Sequence, residues 1–480
     1  MQALLISTYD LGRQPFGLAS PAAWLRRAGL EVFCLDASRE ELYDDRIATA
    51  DLIAFYLPMH TATRLAAPLL TRVQSINPRA RVAAYGLYAP LNADWLRERG
   101  VDDVIGPEAE EELVRIANSQ LPARNSQATP TSQLLINAQL PNAKAEGRKP
   151  EAESLKSTVP RLAFIQPDRQ GLAPLAAYAS LHMPDGQQRI VGNTDATRGC
   201  KHLCRHCPIV PVYQGAFRVV PIDVVMADIR AQIQAGAEHI SFGDPDFFNG
   251  PTHARRLVEQ LAIDHPGVSY DVTIKIEHLL THADLLPVLT RTGCLFVTSA
   301  VESVDDSVLA RLRKGHTRAD FERAVGLCRA AGLALSPTFV AFTPWTDREG
   351  YLDLLRTIAS LGLIEEVAPI QLAIRLLITS RSALLDLPEI RDMVGAFDPG
   401  SLTYPWHHAD PAVDALQQQV MALIASDGHA GRRDAFAAIW DVAHAHSGRQ
   451  APPLPAVPAK SPAYISEPWY CCAEPAEFHL

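Results

Sequence analysis

Short apolar runs alternate with amphipathic stretches over residues 1–117. Segments with a helical repeat, such as Pro21–Ala28 and Ala62–Ile76, lie between the apolar runs. Uninterrupted apolar runs are typical of parallel strands that are covered on both faces. The alternation therefore predicts an α/β domain of the doubly wound, flavodoxin or Rossmann-like kind, with five strands. The four clearest strands are Ala3–Ile6, Glu31–Leu35, Leu52–Tyr56 and Arg81–Tyr85.

Residues 118–160 have a different composition. They are rich in Ser, Gln, Asn, Pro, Ala and Lys, and their apolar residues follow no sustained period. Such a segment cannot bury enough apolar surface to offset the cost of ordering its chain. It predicts a flexible linker between two folded parts.

The strand and helix alternation resumes over residues 161–385. Six strands with helices between them predict a partial (β/α)6 barrel of the TIM type, with its active site at the C-terminal strand ends. Residues 386–447 follow as a C-terminal region with a helical pattern over 411–447, and a Pro-rich extended tail occupies 448–480. The predicted barrel strands are Asn193–Arg198, His239–Gly243, Tyr270–Ile276, Leu295–Val301, Leu335–Phe342 and Ile370–Ile378.

Composition narrows the class of protein. The chain has 480 residues, of which 48% are hydrophobic and 20% charged, and this balance is typical of a globular protein. A net charge of −10 argues against binding to nucleic acid, which depends on clustered Lys and Arg. No apolar run approaches the ~20 residues that span a bilayer, and the first residues lack the basic flank of a secretory signal. We therefore expect a cytoplasmic protein without a membrane partner.

The cysteines are grouped rather than spread along the chain. Of eight, three lie within residues 200–207 and two are adjacent at 471–472. Cys200, Cys204 and Cys207 follow the pattern C-x3-C-x2-C directly after the first predicted barrel strand. Thiolates are the usual ligands of iron–sulfur clusters, and three of them can bind three irons of a four-iron cluster, leaving one iron open. The alternative is a zinc knuckle with His202 or His206 as fourth ligand.

This pattern, at this place in a six-unit βα domain, resembles the radical S-adenosylmethionine (SAM) superfamily over residues 160–385. The resemblance implies a 4Fe–4S cluster whose open iron chelates SAM. It also implies reductive cleavage of SAM to methionine and a 5′-deoxyadenosyl radical, which abstracts hydrogen from a small-molecule substrate that the sequence does not identify. A reductant such as flavodoxin or ferredoxin is implied as a partner.

Two further segments match elements of that family. Gly243 and Asp244 end the second predicted strand, where the family places a Gly-Gly-Glu-like element that contacts the SAM amino group. Asp244 makes this element a variant. Glu302 and Ser303 end the fourth predicted strand and resemble a Glu-Ser element near SAM.

Three more polar residues lie at strand ends. Lys275 and Arg375, in the third and sixth predicted strands, are candidates to meet the SAM carboxylate or the substrate. Thr338 in the fifth strand is a candidate neighbour of the adenosine. For each of the three, an ordinary hydrogen-bonded strand-end residue remains an equal alternative.

The first domain resembles the cobalamin-binding-like domain that precedes many radical SAM barrels. The matching parts are the first strand, the helix that begins near Pro15, and Gly106–Leu113. The Asp-x-His-x-x-Gly motif that supplies a cobalt ligand is absent, and His60 is the domain's single histidine. Two alternatives follow: cobalamin bound without that ligand, or a domain that has lost the cofactor and shapes the substrate cleft.

The chain ends close to Cys471-Cys472-Ala473-Glu474-Pro475, which resembles the tail of a radical SAM subgroup with Cys-Cys-Ala-Glu-Pro or Cys-Sec-Ala-Glu-Pro. Cys472 takes the selenocysteine position. The hypothesis is that the tail folds over the barrel mouth and that this catalytic pair acts through Cys472, which donates hydrogen, carries substrate or ligates a metal. The alternative is a pair of cysteines that oxidises incidentally.

Two rival functions remain open at this stage. One is a non-catalytic iron–sulfur electron-transfer protein, which requires a fourth protein ligand and no affinity for SAM. The other is a zinc-stabilised interaction protein. Metal analysis separates the second from any iron–sulfur protein.

Overall fold

The N-terminal domain is a five-stranded parallel sheet with helices on both faces. A computed structural model describes residues 1–119, 159–426, 431–455 and 461–467. The strand order is β2-β1-β3-β4-β5, the flavodoxin-like order of a doubly wound domain, so the predicted class and strand number are confirmed. The strands are β1 Gln2–Ser7, β2 Glu31–Asp36, β3 Leu52–Tyr56, β4 Arg81–Tyr85 and β5 Asp103–Val104. The helices are α1 Phe16–Arg27, α2 Asp44–Thr49, α3 His60–Ile76, α4 Ala93–Arg97 and α5 Glu110–Ser119.

The sheet is apolar on both faces because each face is covered. Leu4, Ile6 and Phe55 pack into one core, while Leu5 and Ala54, which point to the opposite face, pack into another. Successive residues of a strand point to opposite sides, so a doubly covered sheet needs apolar residues at every position.

The second domain is an open, curved sheet of seven strands. The order is β13-β12-β11-β10-β7-β6-β14, in which β7 and β10 to β13 are parallel and the edge strands β6 and β14 are antiparallel. The predicted partial barrel is therefore confirmed. The seven strands of this sheet are β6 Ser180–His182, β7 Gln188–Thr194, β10 His239–Phe242, β11 Ser269–Thr273, β12 Cys294–Glu302, β13 Ala334–Phe339 and β14 Tyr464–Ile465. Two further strands, β8 Thr197–Gly199 and β9 Phe217–Val219, form a separate two-stranded sheet.

Helices follow most of the barrel strands and cover the outer face of the sheet. The C-terminal helices α15 and α16 pack against each other beyond the last barrel strand. The helices are α6 Val210–Tyr213, α7 Ile222–Gln234, α8 Pro251–Asp264, α9 Ile276–Thr281, α10 Leu286–Arg291, α11 Asp306–Leu312, α12 Arg318–Ala330, α13 Arg348–Ser360, α14 Pro388–Met393, α15 Pro411–Ala425 and α16 Arg432–His446.

Two predicted barrel strands differ from the structure. The first ends at Thr194, and β8 forms a separate antiparallel hairpin with β9. The sixth, Ile370–Ile378, is wrong: a 3-10 helix spans Pro369–Leu372, and only Arg375 forms an isolated parallel bridge. An apolar run of this length has the same pattern in a buried strand and in a buried helical turn, so periodicity alone could not separate the two.

The cysteine segment packs against the N-terminal domain. Cys200, Val212 and Tyr213 share a buried cluster with Ile6 and Phe55. The two domains thus have one common core beneath the residues that the sequence singled out. Most of the predicted linker and all of the Cys471–Cys472 pair lie outside the described residues. Within the described ranges, no helix combines the length and apolar character that crossing a bilayer requires.

Candidate active site

A cavity of about 320 Å³ lies between the two domains, at the carboxyl ends of both parallel sheets. Ligands of open α/β sheets and of TIM-type barrels bind at these ends. The predicted site residues that line it are Cys200, Cys204, Cys207, Gly243, Asp244, Lys275, Glu302 and Thr338. The N-terminal domain contributes Asp10, Leu11, Tyr56, Met59, Gly86 and Leu87, among others.

The β8–β9 hairpin sets the position of the first cysteine. Gly199, the last residue of β8, has φ +78°, a left-handed conformation that favours glycine. A Cβ added there would lie 2.4 Å from the Tyr213 ring and 2.6 Å from the carbonyl oxygen of Ala216. Asn249 Nδ2 donates to the Gly199 carbonyl at 3.2 Å. The turn before Cys200 is therefore closely packed on the residues that follow the cysteine loop.

The three cysteines suit an iron–sulfur cluster. All three line one cavity, none of them forms a disulfide within the described residues, and Cys200 and Cys204 are buried. Burial raises the pKa of the Cys200 thiol to about 11, so a nearby metal cation is needed to hold it as a thiolate. Within the described residues, no fourth cysteine lines the cavity. The donor set therefore leaves one position of a four-iron cluster open.

Asp244 anchors the cysteine segment to the end of β10. Its carboxylate accepts hydrogen bonds from Thr197 Oγ1 at 2.6 Å and from the Ala196 backbone at 2.9 Å. Burial and, after it, the nearby Asp195 raise the pKa of Asp244 to about 7. Beside it, a Cβ on Gly243 would lie 2.4 Å from Asp195 Oδ1, so this backbone approaches the neighbouring carboxylate closely.

Glu302 is a buried, ionised carboxylate at the cavity wall. It lies 3.1 Å from His206 Nε2 and 3.2 Å from Lys314 Nζ, and it has φ +69° at the end of β12. Burial alone would raise its pKa, but the charge of Lys314 and the contact with His206 outweigh that effect and hold the pKa at about 2. Glu302 thus lines the cavity while its carboxylate is paired with His206 and Lys314. Its positive φ is a backbone conformation that costs energy for a residue with a side chain.

Lys275 and Thr338 also reach the cavity wall. Lys275 directly precedes α9 and follows β11 by two residues, and its Nζ lies 3.6 Å from Glu277 Oε2. Thr338 lies in β13 and is buried. Both positions agree with the predicted placement at strand ends.

Ser303 and Arg375 do not line the cavity. Ser303 Oγ accepts from the backbone of Asp305 at 3.1 Å, which makes it part of the turn before α11. The Arg375 guanidinium lies 2.6 Å from Asp414 Oδ1 and stacks on Trp406 at 3.6 Å. Because the sixth predicted strand does not form, Arg375 faces the C-terminal helices instead of the cavity.

The sequence analysis did not predict several polar residues of the cavity. Asp195, Arg198 and Lys314 line it, and so does His206, which the sequence suggested only as a zinc ligand. The sequence did carry a signal for Arg198 and His206. Arg198 lies two residues before Cys200 and His206 lies between Cys204 and Cys207, so the segment that carries the cysteines brings both side chains to the cavity. Lys314 follows α11 and has no sequence signal of its own.

The N-terminal half of the cavity offers no imidazole. His60, the domain's single histidine, contacts the Ser401 carbonyl at 2.6 Å and lies outside the lining. Gly86, with φ +110°, brings the backbone after β4 close to Leu57. Residues 1–117 thus contribute no histidine to the cavity lining.

Solved structures show where this two-domain fold occurs. The cobalamin-dependent SAM radical enzyme OxsB, with aqua-cobalamin and SAM bound, has a TM-score of 0.65 at 13% identity and covers 89% of this chain and 67% of its own. The radical SAM methyltransferase TsrM from Kitasatospora setae has a TM-score of 0.54 at 17% identity, covering 75% and 70%. At these identities the likeness shows a shared fold.

Sequence relatives match the barrel. The tRNA-2-methylthio-N(6)-dimethylallyladenosine synthase of Chlorobium luteolum is 28% identical over 184 residues, which is 35% of this chain and 40% of that protein. The bacteriochlorophyllide d C-12(1)-methyltransferase of Chlorobaculum tepidum is 28% identical over 149 residues, 30% and 32% of the two chains. The matched segment thus spans less than half of these relatives.

A protein-family model matches one segment of the chain. Residues 195–355 match the Radical SAM superfamily. This segment contains the cysteine motif and the parallel strands β10 to β13. The expected use of a 4Fe–4S cluster and SAM agrees with this family. Residues 195–355 thus match the Radical SAM superfamily, within a fold shared with cobalamin-dependent radical SAM enzymes.

Proposed function

We propose that this chain is a radical SAM enzyme that cleaves SAM reductively and acts on a small molecule held in the cavity between its domains. The observation that carries the proposal is the convergence of three closely spaced cysteines with Asp244, Lys275, Glu302 and Thr338 on one cavity. When bound, the cluster and SAM supply an electron and a carbon-centred radical, chemistry that side chains cannot provide.

The residues of the chain have distinct tasks in this proposal. Cys200, Cys204 and Cys207 hold the cluster. Lys275 offers a cation to the SAM carboxylate, while Glu302 offers an anion to the SAM amino or ribose hydroxyl groups. These roles are supported by cavity position and charge: Lys275 has Glu277 as a partial counter-ion, and Glu302 remains ionised in a buried place.

Burial supports a radical reaction as well. The cavity lies between two cores, and its wall includes apolar residues of the N-terminal domain such as Met59 and Leu87. A site that excludes water protects a reactive intermediate from side reactions. The free cysteines also support a reducing compartment such as the cytoplasm, with flavodoxin or ferredoxin as the electron donor.

The direct test is the release of 5′-deoxyadenosine from SAM. Full-length protein is reconstituted anaerobically with iron and sulfide, reduced with dithionite and compared with Cys204→Ala and with Cys328→Ala, a buried cysteine remote from the cavity. Product in the wild type and in Cys328→Ala, but not in Cys204→Ala, is expected. A loaded cluster that neither cleaves SAM nor changes its electron paramagnetic resonance spectrum with SAM would indicate an electron carrier instead.

We propose further that the N-terminal wall of the cavity holds cobalamin without a protein imidazole. The support is the fold shared with OxsB and TsrM, whose structures contain cobalamin, and the presence of Gly86 and Leu87 in the lining of the same cavity as the cysteines. Equilibrium dialysis with hydroxocobalamin is expected to show binding that Leu87→Trp weakens by filling the wall. Absence of binding would leave this domain as a wall of the substrate cleft.

The tail pair completes the proposal. Cys471 and Cys472 lie outside the described residues, but Glu467 lies 3.2 Å from Tyr9 Oη, and Tyr9 directly precedes Asp10 of the cavity lining. Five residues of extended chain reach up to roughly 17 Å, so Cys472 can reach the cavity from there. A Cys472→Ser variant is expected to cleave SAM but to lose turnover of the true substrate, and full turnover would contradict this role.

A further inference from the structure

Three side chains other than the cysteines converge beside the cavity, and one of them, His202, lines it. His202 Nε2 lies 3.2 Å from Asp246 Oδ2, and His278 Nδ1 lies 2.6 Å from the same oxygen. The three donor atoms lie within 4.8 Å of one another. They come from three separate elements, namely the cysteine loop, the turn after β10 and helix α9, so the tertiary fold alone brings them together.

These three atoms are also buried without a hydrogen bond. His202 Nε2, Asp246 Oδ2 and His278 Nδ1 have no hydrogen-bond partner, although they contact one another at ion-pair distances. The side chains of Asp246 and His278 are 0% and 4% exposed. Leaving one buried polar atom unsatisfied costs about 1–3 kcal/mol, so three such atoms in one place need a common partner.

A divalent metal ion supplies that partner. Two imidazole nitrogens and one carboxylate oxygen are a ligand set for zinc or ferrous iron. Donor atoms around a tetrahedral zinc lie roughly 3.3 Å apart. The 3.2 Å between His202 and Asp246 is close to this spacing, whereas the 2.6 Å between His278 and Asp246 is shorter and must widen when an ion binds. Ring nitrogens that point at one oxygen without hydrogen-bond angles are the arrangement expected when lone pairs converge on a cation.

The surroundings fit a metal site. Asp246 Oδ1 accepts from the Phe248 backbone at 3.2 Å, which fixes the carboxylate and turns Oδ2 toward the histidines. Glu277 Oε2 lies 3.6 Å from His202 Nδ1, on the other side of the ring. A carboxylate behind a ligating histidine orients the ring and raises its basicity.

From this geometry we propose a second metal site, distinct from the cysteine cluster, in which His202, Asp246 and His278 bind one divalent transition-metal ion of the zinc class. Since His202 lies between Cys200 and Cys204, the ion ties the cysteine loop to the end of β10 and to α9. The fourth coordination position is left for water or for a group in the cavity, which His202 lines.

The test distinguishes this metal ion from the iron–sulfur cluster in two ways: by the element bound, zinc or iron, and by the ligand atoms around the zinc. Full-length protein is treated with chelator, reconstituted with iron and sulfide, given Zn²⁺ and dialysed. Zinc and iron are then counted by mass spectrometry, and the zinc K-edge is recorded by X-ray absorption. The variants are Asp246→Asn and His278→Gln, with His282→Gln as control, whose ring lies 5.7 Å from that of His278 but outside the triad.

One zinc per chain with only nitrogen and oxygen ligands is expected in the wild type and in His282→Gln. Zinc affinity should fall at least tenfold in Asp246→Asn and in His278→Gln, while His278→Gln keeps its cluster iron and its circular dichroism spectrum. Sulfur around the zinc, zinc affinity in both triad variants that equals that of the wild type, or a folded wild type that retains no zinc would overturn the proposal.

Discussion

Arg198 Nη1 lies 2.8 Å from Glu110 Oε1, and this ion pair joins the strand before Cys200 to the first turn of α5 in the other domain. The same nitrogen lies 3.1 Å from Glu108 Oε2, and all three side chains are at most 10% exposed. The N-terminal domain thus holds the cysteine hairpin through a buried charge network, in addition to the shared apolar core.

Removing this cation should loosen the domain interface. Arg198→Met leaves two buried carboxylates without their counter-ion, and breaking a buried pair costs about 3–5 kcal/mol. We expect a lower urea midpoint and faster proteolysis between the domains. Arg115→Met removes a surface ion pair with Glu112 and serves as the control, which should be unchanged. Equal midpoints for the two variants would contradict the role of Arg198.

Gly199 should be irreplaceable for a reason beyond its backbone conformation. Gly199→Ala places a Cβ against the Tyr213 ring and the Ala216 carbonyl, so the turn before Cys200 must shift. We expect most of the cluster iron to be lost after reconstitution. Gly171→Ala has a similar φ of +84° but no atom within 4 Å, and it should cost about 1 kcal/mol without loss of iron. Matching iron contents in the two variants would rule out the steric argument.

Stability should depend on pH through Asp244. Its pKa is raised from 3.8 to about 7, so between these values the folded chain binds a proton that the unfolded chain releases. The stabilisation that the bound proton provides is therefore fully present below about pH 4 and is lost as the pH rises toward about 7. Over this range the free energy of unfolding falls by at most about 1.4 kcal/mol per pH unit, and above about pH 7 this group no longer changes it. Urea midpoints of cluster-free protein at about pH 5.5 and about pH 8 measure it.

Asp244→Asn should remove most of that pH dependence, and Asp284→Asn, at an exposed position, should leave it intact. The Asn side chain keeps an acceptor for only one of the two hydrogen bonds, so the variant is expected to be less stable at about pH 5.5 and to approach the wild type at about pH 8. The same stability difference at both pH values would mean that Asp244 does not titrate in this range.

Glu302 should matter for SAM and Ser303 should not. Glu302→Gln removes the charge that the cavity presents, and a hydrogen bond to a charged group contributes about 1.5–3 kcal/mol, or roughly 10- to 100-fold in affinity. SAM binding by the reconstituted protein and the rate of 5′-deoxyadenosine release measure this loss. Ser303→Ala, beside it in sequence but in the turn before α11, should retain both. A Glu302→Gln variant with normal SAM affinity would assign that residue to structure alone.

The predicted features that agree with the structure rest on local signals. The strands β3 and β4 match their predicted bounds because a buried parallel strand needs apolar side chains on both faces. The cysteine spacing places three thiols on one loop whatever the rest of the chain does. The resemblance of the barrel to its family and the three candidate cluster ligands follow from these patterns.

Other features depended on the tertiary structure. Arg375 has the same sequence context as a strand-end residue, yet it packs on Trp406 and Asp414 because its strand does not form. Lys314 reaches Glu302 only because α11 returns the chain to the end of β12.

The sequence by itself determined the α/β class and the close spacing of three candidate cysteine ligands, since each depends on residues close together in the chain. Only the tertiary structure decided which charged groups meet: Arg198 with Glu110, Glu302 with Lys314, and Asp246 with two histidines. A charge finds its partner through the packing of distant elements, and burial then sets the energy of the pair. Neither the partner of a charged residue nor the energy of the pair can be predicted from the residues adjacent to it in the sequence.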